Sequence, residues 1–528
     1  MRSGASQSNP ANSQRVVVVG AGIGGLVAAV DLASRGVEVV VAERAAAPGG
    51  KMREVDVGGV RVDAGPTVLT MRNVFEELFA DARATLGDHV RLRPADVLAR
   101  HAWNEGERLD LYADLDRTVD AIAAFASPAE GHRYRRFAEH ARRTYETLER
   151  PFLRAARPSL PGLVHGRGSF GALWRMRPFA SMWRALGDHF EDPRLRQLFA
   201  RYATYCGASP FRAPATLMLI AHVEREGVWL VEGGMQRLAD ALAALATARG
   251  ATLRLGTPVA EILVQAGRAT GVRLGSGEVL AAAAVVVNAD TASLAQGGLG
   301  RAPALALPRR GVGTRSLSAM TWALHATTTG FPLQRHNVFF ARDYAAEFDD
   351  LFNAGRPPHE PTVYVCAQDR NEDDGQRHDP ERLLCLINAP ANGDVHLYDP
   401  AEVDECEQRM YGLLQRCGLT IAHRQAPVQA TTPRDFERLF PGTGGALYGP
   451  ASHGWTAAFR RQGARTSLPG LYVAGGSAHP GPGVPMAALS GRSAATAVLA
   501  DLPSTCRSRP AATLGGTVTP SATTAAMP

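Results

Sequence analysis

The stretch RVVVVGAGIGGLVAAVDLASRGVEVVVAER, residues 15–44, restricts the fold more than any other part of the chain. Val16 to Val19 are β-branched, uncharged and followed at once by glycines, which reads as a short strand buried on both faces. Gly20, Gly22 and Gly25 fill a G-x-G-x-x-G pattern, with Ala21, Ile23 and Gly24 completing the turn. The pattern predicts a helix over Leu26 to Ser34, stopped at Gly36, and a second strand over Val37 to Val41 that leads to Glu43. Gly20 allows the tight turn, Gly22 admits a pyrophosphate to the backbone, and Gly25 lets helix and strand pack closely. The helix start offers unpaired N–H donors and about half a positive charge to phosphates. Glu43 can accept hydrogen bonds from ribose hydroxyls. A glycine pattern alone also occurs in ordinary βα turns, but the strand–helix–strand frame with its terminal acid argues for a dinucleotide.

The same region separates the dinucleotides. The Glu43 carboxylate would repel a 2′-phosphate, although Arg44 beside it weakens that objection to NADP. Beyond it, APGGKMREVDVGGVRVDAGPTVLT, residues 47–70, offers the pair Gly49 and Gly50, a cation at Lys51, and a further turn through Gly65, Pro66 and Thr67. Two separate phosphate-approach segments suit a long dinucleotide lying extended through the domain. FAD is therefore the predicted cofactor.

The glycine run resembles the dinucleotide-binding motif of the flavoprotein superfamily that includes amine oxidases and carotenoid desaturases. The far end, LPGLYVAGGSAHPGPGVPMAALSGRSAATAV over residues 468–498, resembles the C-terminal signature of bacterial-type carotenoid desaturases. In that family the segment returns to the flavin and lays a helix start beside it, which implies contacts from Gly475, Gly476, Val484, Pro485 and Met486. Gly256-Thr257-Pro258-Val259 resembles the return of the chain to the flavin domain, where the backbone of Val259 would meet the adenine side. A strand over Ala284 to Asn288 carries Asp290 towards the cofactor on the same analogy. For Val259 and Asp290 the plainer alternative is a strand end without ligand contact. The resemblance implies an α/β fold, a Rossmann-type FAD-binding domain with a discontinuous α+β substrate domain. Residues 15–95, 230–300 and 445–502 are assigned to the first, and residues 96–229 and 301–444 to the second.

Longer stretches resemble the 1-hydroxycarotenoid 3,4-desaturases (hydroxyneurosporene or methoxyneurosporene desaturases) of purple bacteria. They are GPTVLTMRNVFEELF from Gly65, PTVYVCAQDR from Pro361, FPGTGGALYGPASHGW from Phe440 and AGGSAHPGPGVPMAALSG from Ala474. The likeness runs from Arg15 to Leu499. It implies an enzyme of carotenoid biosynthesis that removes hydride and a proton from an acyclic 1-hydroxycarotenoid to form the C-3,4 double bond. One departure is Lys51, where arginine is frequent in the superfamily, so positive charge is kept but bidentate phosphate binding is lost. General phytoene or neurosporene desaturases, carotenoid isomerases and retinol saturases share these motifs and stay open as alternatives. Amine oxidases usually set a lysine near the reactive flavin nitrogen, and Lys51 is the only lysine of this chain. A non-enzymatic relative, the inhibitor of Rab GTPase dissociation, binds lipid tails without flavin; the intact glycine turn and Glu43 argue against it. The terminal electron acceptor, quinone or oxygen, is not readable.

The net charge of +6 over 528 residues is modest, and no RNA- or DNA-binding motif occurs, so a nucleic-acid partner is not expected. Six scattered cysteines form no C-x-x-C, which argues against a metal site or disulfide framework. Residues 1–14 and 503–528 read as disordered tails, the first lacking the apolar core of a secretory signal. No stretch offers the roughly 20 apolar residues of a membrane span. Residues 151–201 carry nine arginines against three acids, interleaved with aromatic and aliphatic residues. That mixture suits equally a helix pair with a wet arginine face and a surface lying among anionic headgroups. The family resemblance favours the membrane surface, hence a cytoplasmic protein held peripherally at the inner or intracytoplasmic membrane. Residues 132–149 read as a solvated helix, Glu372-Asp373-Asp374 as a solvated loop, and Arg335-His336-Asn337 as water-facing. Glu232 and His479 adjoin glycine loops directed at the flavin and have the chemistry of a base, but a loop hydrogen bond is preferred for each. No catalytic residue is assigned.

Overall fold

A computed structural model describes residues 15–158, 176–177, 179–307, 314–370, 379–424 and 426–502. Both tails, the Glu372-Asp373-Asp374 cluster and most of the 159–178 part of the basic segment lie outside these residues.

The valine run sits at the centre of a parallel five-stranded sheet. Strand β1 (Arg15–Val19) pairs with β2 (Glu38–Ala42), which pairs with Thr252–Arg254; on its other side lie Ala284–Val287 and then Leu471–Val473. Successive side chains point to opposite faces, so β1 feeds two cores. Val16 and Val18 pack with helix α1 (Ile23–Ala33), helix Gln236–Ala248 and the C-terminal helix Val484–Asp501. Val17 and Val19 pack against an antiparallel sheet of Val259–Gln265, Arg268–Leu274 and Val279–Ala281. A strand covered on both faces needs apolar residues at every position, and VVVV supplies them.

Helix α1 is buried along its whole length, and its small residues decide how it packs. A Cβ at Gly491 of the C-terminal helix would overlap the carbonyl of Gly24, so the two backbones touch. The helix begins at Ile23, three residues before the predicted Leu26, because Gly24 and Gly25 serve close packing inside the first turn rather than the turn itself.

The second unit is a seven-stranded sheet in the order Val428–Thr431, Ser318–Ala326, Glu381–Ala389, Val363–Ala367, His336–Phe339, Val97–Asn104, Glu107–Tyr112. Every pairing is antiparallel except that between His336–Phe339 and Val97–Asn104. The predicted strands over Ser316–Ala326 and Thr362–Gln368 are present, each slightly shorter. Arg335-His336-Asn337 does not face water. His336 and Asn337 are buried in this sheet, with the Asn337 amide donating to Val365 (3.1 Å) and Arg335 donating to the Gln368 carbonyl. The three polar residues misled because their partners come from a strand almost thirty positions away.

A hairpin, Glu54–Val57 and Val60–Asp63, joins the two sheets. Val57 and Val62 pack under Ala323, Cys366 and Leu384 of the larger sheet. Gln368 exchanges two hydrogen bonds with the Asp63 backbone, accepting its N–H (3.0 Å) and donating to its carbonyl (2.8 Å). The Asp63 carboxylate meanwhile caps helix Gln236–Ala248 through Met235 N–H (2.8 Å). The turn Gly65-Pro66-Thr67 that follows is thus fixed between the sheets.

Candidate functional site

A cavity of about 1520 Å³ runs from the glycine turn to the inner face of the seven-stranded sheet. Ligand pockets commonly measure roughly 300–1,000 Å³, so this one has room for a dinucleotide together with part of a second molecule. All the residues predicted to bind the cofactor line it except Ala21 and Gly25. Gly25 lies against the Gly20 carbonyl, which a Cβ would overlap, as its packing task requires. Ala21 is fully buried and contributes its N–H to Glu43 instead.

Glu43 has a task that the sequence did not reveal. Its buried carboxylate accepts from Ala21 N–H (2.6 Å) and Ala45 N–H (2.8 Å), bracing the glycine turn against the end of β2. A carboxylate offers about four lone-pair sites, so acceptor capacity for ribose hydroxyls is left over. Arg44 turns to the carbonyls of Arg438 and Leu439 at the cavity rim.

The turn is tight enough to exclude side chains. A Cβ on Gly22 would lie 2.7 Å from Asn288 Nδ2, and one on Gly24 2.8 Å from Gly475 N. Gly22 caps α1 without any side-chain hydrogen bond, which leaves the first-turn N–H groups to a ligand. A second helix start opens on the same cavity: Gly483 caps Val484–Asp501 likewise without a side-chain bond, and Val484, Pro485 and Met486 line the wall. Two buried cations add positive potential. Lys51 donates to the Leu447 carbonyl (2.7 Å), and burial pushes its ammonium below the ordinary lysine value against the pull of Asp290. Arg461 donates to the carbonyls of Pro450 (2.8 Å) and Gly476 (3.3 Å). Asp290 caps the short helix after β-strand Ala284–Val287 through Ala292 N–H (2.9 Å), and Val259 opens the neighbouring antiparallel strand.

Arg461 is a residue that sequence reasoning passed over, and Asn288, expected near the cofactor as the end of its strand, has a packing task that the sequence did not reveal. Asn288 fills the space the glycines leave, against Gly20, Gly22, Gly24 and Gly475. Arg461 is one of 56 arginines, with nothing in its neighbourhood to single it out.

Neither proposed base belongs to the cavity wall. Glu232 pairs with Arg93 (3.3 Å) at the surface, because the adjoining glycine loop wraps Asp63 and not a ligand. His479 is buried, shares a hydrogen bond with the Phe152 carbonyl (2.9 Å), and is kept neutral by a lowered pKa that burial causes. Beyond the dinucleotide region the wall becomes apolar, with Leu153, Ile220, Val223, Leu384 and Leu386 facing one another. Phe179 (65% exposed) and Trp455 (39% exposed) meet edge to face at 5.3 Å where the cavity reaches the surface.

Residues 23–499 match the family model of flavin-containing amine oxidoreductases. A hydroxyneurosporene desaturase of Rubrivivax gelatinosus is 55% identical over 98% of this chain and 100% of its own length. A second, from Cereibacter sphaeroides, is 47% identical over 93% of this chain and 99% of its own. The chain belongs to the flavin-containing amine oxidoreductase family, in the branch of the hydroxyneurosporene desaturases. Among solved structures, a putrescine oxidase variant from a redesign of cofactor binding superposes with a TM-score of 0.60 at 15% identity, covering 92% of this chain and 98% of that one. At that identity the likeness speaks for the fold of this family member, not for its substrate.

Proposed function

We propose that the protein is an FAD-dependent desaturase that introduces the C-3,4 double bond into an acyclic 1-hydroxycarotenoid. The observation that carries the reading is the continuity of one cavity from a side-chain-free phosphate cradle to a long apolar chamber. A dinucleotide can lie in the first part while a polyene enters the second.

The residues present fit FAD. The N–H groups after Gly22 would take the pyrophosphate and Glu43 the adenosine ribose. Val259 would meet the adenine side, and the start of Val484–Asp501 would face the flavin ring. When bound, FAD supplies an acceptor for the hydride that leaves an allylic carbon. The chain's own contribution is positioning and exclusion of water. Ile220, Val223, Leu384 and Leu386 would hold the polyene extended in a dry environment, which converts encounter into alignment. Removing hydride leaves a positive charge spread along the conjugated chain, and dry walls keep water from trapping it. The proton lost from the adjoining carbon has no assigned acceptor, since neither Glu232 nor His479 reaches the chamber.

Access is proposed from a membrane surface. No helix among the described residues is long and apolar enough to cross a bilayer. Phe179 and Trp455 at the mouth are the residue types that settle at a membrane–water interface. Purified protein, FAD and liposomes holding 1-hydroxyneurosporene, neurosporene or phytoene test the reading. The 3,4-desaturated hydroxy product is expected. Conversion of phytoene alone would reduce the assignment to a general desaturase, and no product from any polyene despite bound flavin would overturn it.

A further inference from the structure

The apolar chamber contains one group of residues that a pure hydrocarbon would not need. Arg201, Tyr205 and Glu224 line the cavity, with Tyr202 directly behind them. The Glu224 carboxylate accepts from the Tyr205 hydroxyl (3.1 Å), the Tyr202 hydroxyl and the Arg201 guanidinium (3.3 Å); Arg201 in turn donates to Tyr205. Both charged residues are almost completely buried, and Nε of Arg201 finds no hydrogen-bond acceptor among the described residues. Removing such a pair from water costs several kcal/mol per ion before any return from mutual attraction, so apolar residues would stabilise this wall at least as well. Its retention calls for a ligand that is itself polar.

The location of the cluster is as informative as its chemistry. Tyr364, which lines the same cavity, bonds Thr67 of the Gly65-Pro66-Thr67 turn (2.7 Å). On the other side, Gly207, two residues after Tyr205, lies against the Tyr448 side chain, and Arg461 donates to the carbonyls of Tyr448 (3.4 Å), Gly476 (3.3 Å) and Ser477 (3.4 Å). Arg201, Tyr205 and Glu224 therefore share a cavity with the Gly65-Pro66-Thr67 turn and with the Gly475-Gly476 loop proposed to meet the flavin. In a 1-hydroxycarotenoid the C-1 oxygen is separated from the reacting C-3 only by C-1 and C-2. A polar group needed close to the reacting bond is what this substrate has and neurosporene lacks.

We infer that Arg201, Tyr205 and Glu224 form the recognition site for the C-1 hydroxyl and fix which bond of the polyene meets the flavin. A hydroxyl both donates and accepts, so it can donate a hydrogen bond to the Glu224 carboxylate or the Tyr205 oxygen while accepting one from the guanidinium. The inference rests on the desaturase reading and adds the residues that set its substrate selectivity. They are positioning and specificity residues, with no proton transfer assigned to them.

The test compares 1-hydroxyneurosporene with neurosporene in two readouts on flavin-loaded protein: kcat/KM in liposomes, and polyene affinity from tryptophan quenching before turnover. A hydrogen bond to a charged group supports a preference for the hydroxylated polyene of about 10- to 100-fold in both. Glu224→Gln and Tyr205→Phe should each reduce that preference at least several-fold while neurosporene binding stays unchanged. The double change Arg201→Met with Glu224→Met should abolish it. An unchanged preference in all three variants would overturn the assignment, as would an equal loss of both polyenes with flavin still bound, the mark of a merely structural cluster. The affinity ratio is read without turnover, so it judges the hydroxyl site even where wild-type protein converts no polyene, a result that counts against the desaturase reading instead.

Discussion

Replacing Glu43 by glutamine separates two tasks that the structure places on one carboxylate. Glu43 accepts from Ala21 N–H at 2.6 Å in a buried setting and from Ala45 N–H at 2.8 Å. Glutamine has one acceptor oxygen, so it can keep one of these bonds in neutral form and must turn its own N–H₂ towards the other donor. The stability lost is about 2–3 kcal/mol, from one weakened bond and one unsatisfied backbone donor. The second task is FAD binding. If the remaining lone pairs take ribose hydroxyls, losing one charge-assisted bond costs about 1.5–3 kcal/mol, or roughly 10- to 150-fold in Kd. Urea unfolding of the cofactor-free protein reads the first effect, and titration of flavin fluorescence reads the second. The two outcomes can fail independently. Unchanged unfolding would refute the strut between turn and β2, and unchanged FAD affinity would refute the ribose contact.

Other expectations follow from buried charges and from the cavity mouth. Burial raises the Glu347 carboxyl to about 7, only partly offset by hydrogen bonds from Thr362 and Asn388. The folded state keeps this proton where the unfolded chain has lost it, so the group's contribution is complete below pH 4.5 and is lost as pH rises to about 7, by about 3 kcal/mol at most. Glu347→Gln should flatten that slope in urea midpoints measured from pH 5 to 8; an identical slope would refute it. Arg370 and Glu381 form a bidentate pair (2.7 and 2.8 Å) with almost no exposure. Glu381→Ala removes both of these charge-assisted bonds from the buried guanidinium and should cost about 3 kcal/mol, visible as a lower urea midpoint. Serine at both Phe179 and Trp455 should weaken binding to anionic liposomes several-fold with FAD affinity unchanged. Equal binding would mean that the cavity mouth does not face the membrane.

What could be foreseen from sequence follows the range of the interactions involved. The β1–α1–β2 unit is encoded within thirty consecutive residues: VVVV for a strand covered on both faces, glycines where backbones touch, Glu43 at the strand end. Its neighbours in the sheet, Ala284–Val287 and Leu471–Val473, were also legible, because each is a short apolar run ending in small residues. Partners brought together only by the tertiary fold were not. Asn288 makes sense solely against glycines from two other segments, and His336 reads as polar surface until Tyr364 is placed beside it (2.8 Å). The same limit explains why Glu232 was a candidate base. The glycine loop beside it has a local signature, yet what the loop wraps is Asp63, 172 and 173 positions upstream of Met235 and Gln236.

The Arg201–Glu224 cluster lies at the far end of this scale, and the reason is energetic as well as topological. In a one-dimensional reading, an arginine and a glutamate separated by a helix and two turns belong to a solvated surface, since isolated charges avoid the interior. Only the fold shows both side chains buried together on the cavity wall, Glu224 with three donors and Arg201 over the rings of Tyr202 (5.0 Å) and Tyr205 (5.3 Å). Natural cores retain such a costly arrangement when it serves specificity. A cavity whose walls are otherwise suited to any polyene can discriminate among polyenes only at a polar point, and Arg201, Tyr205 and Glu224 are proposed as that point.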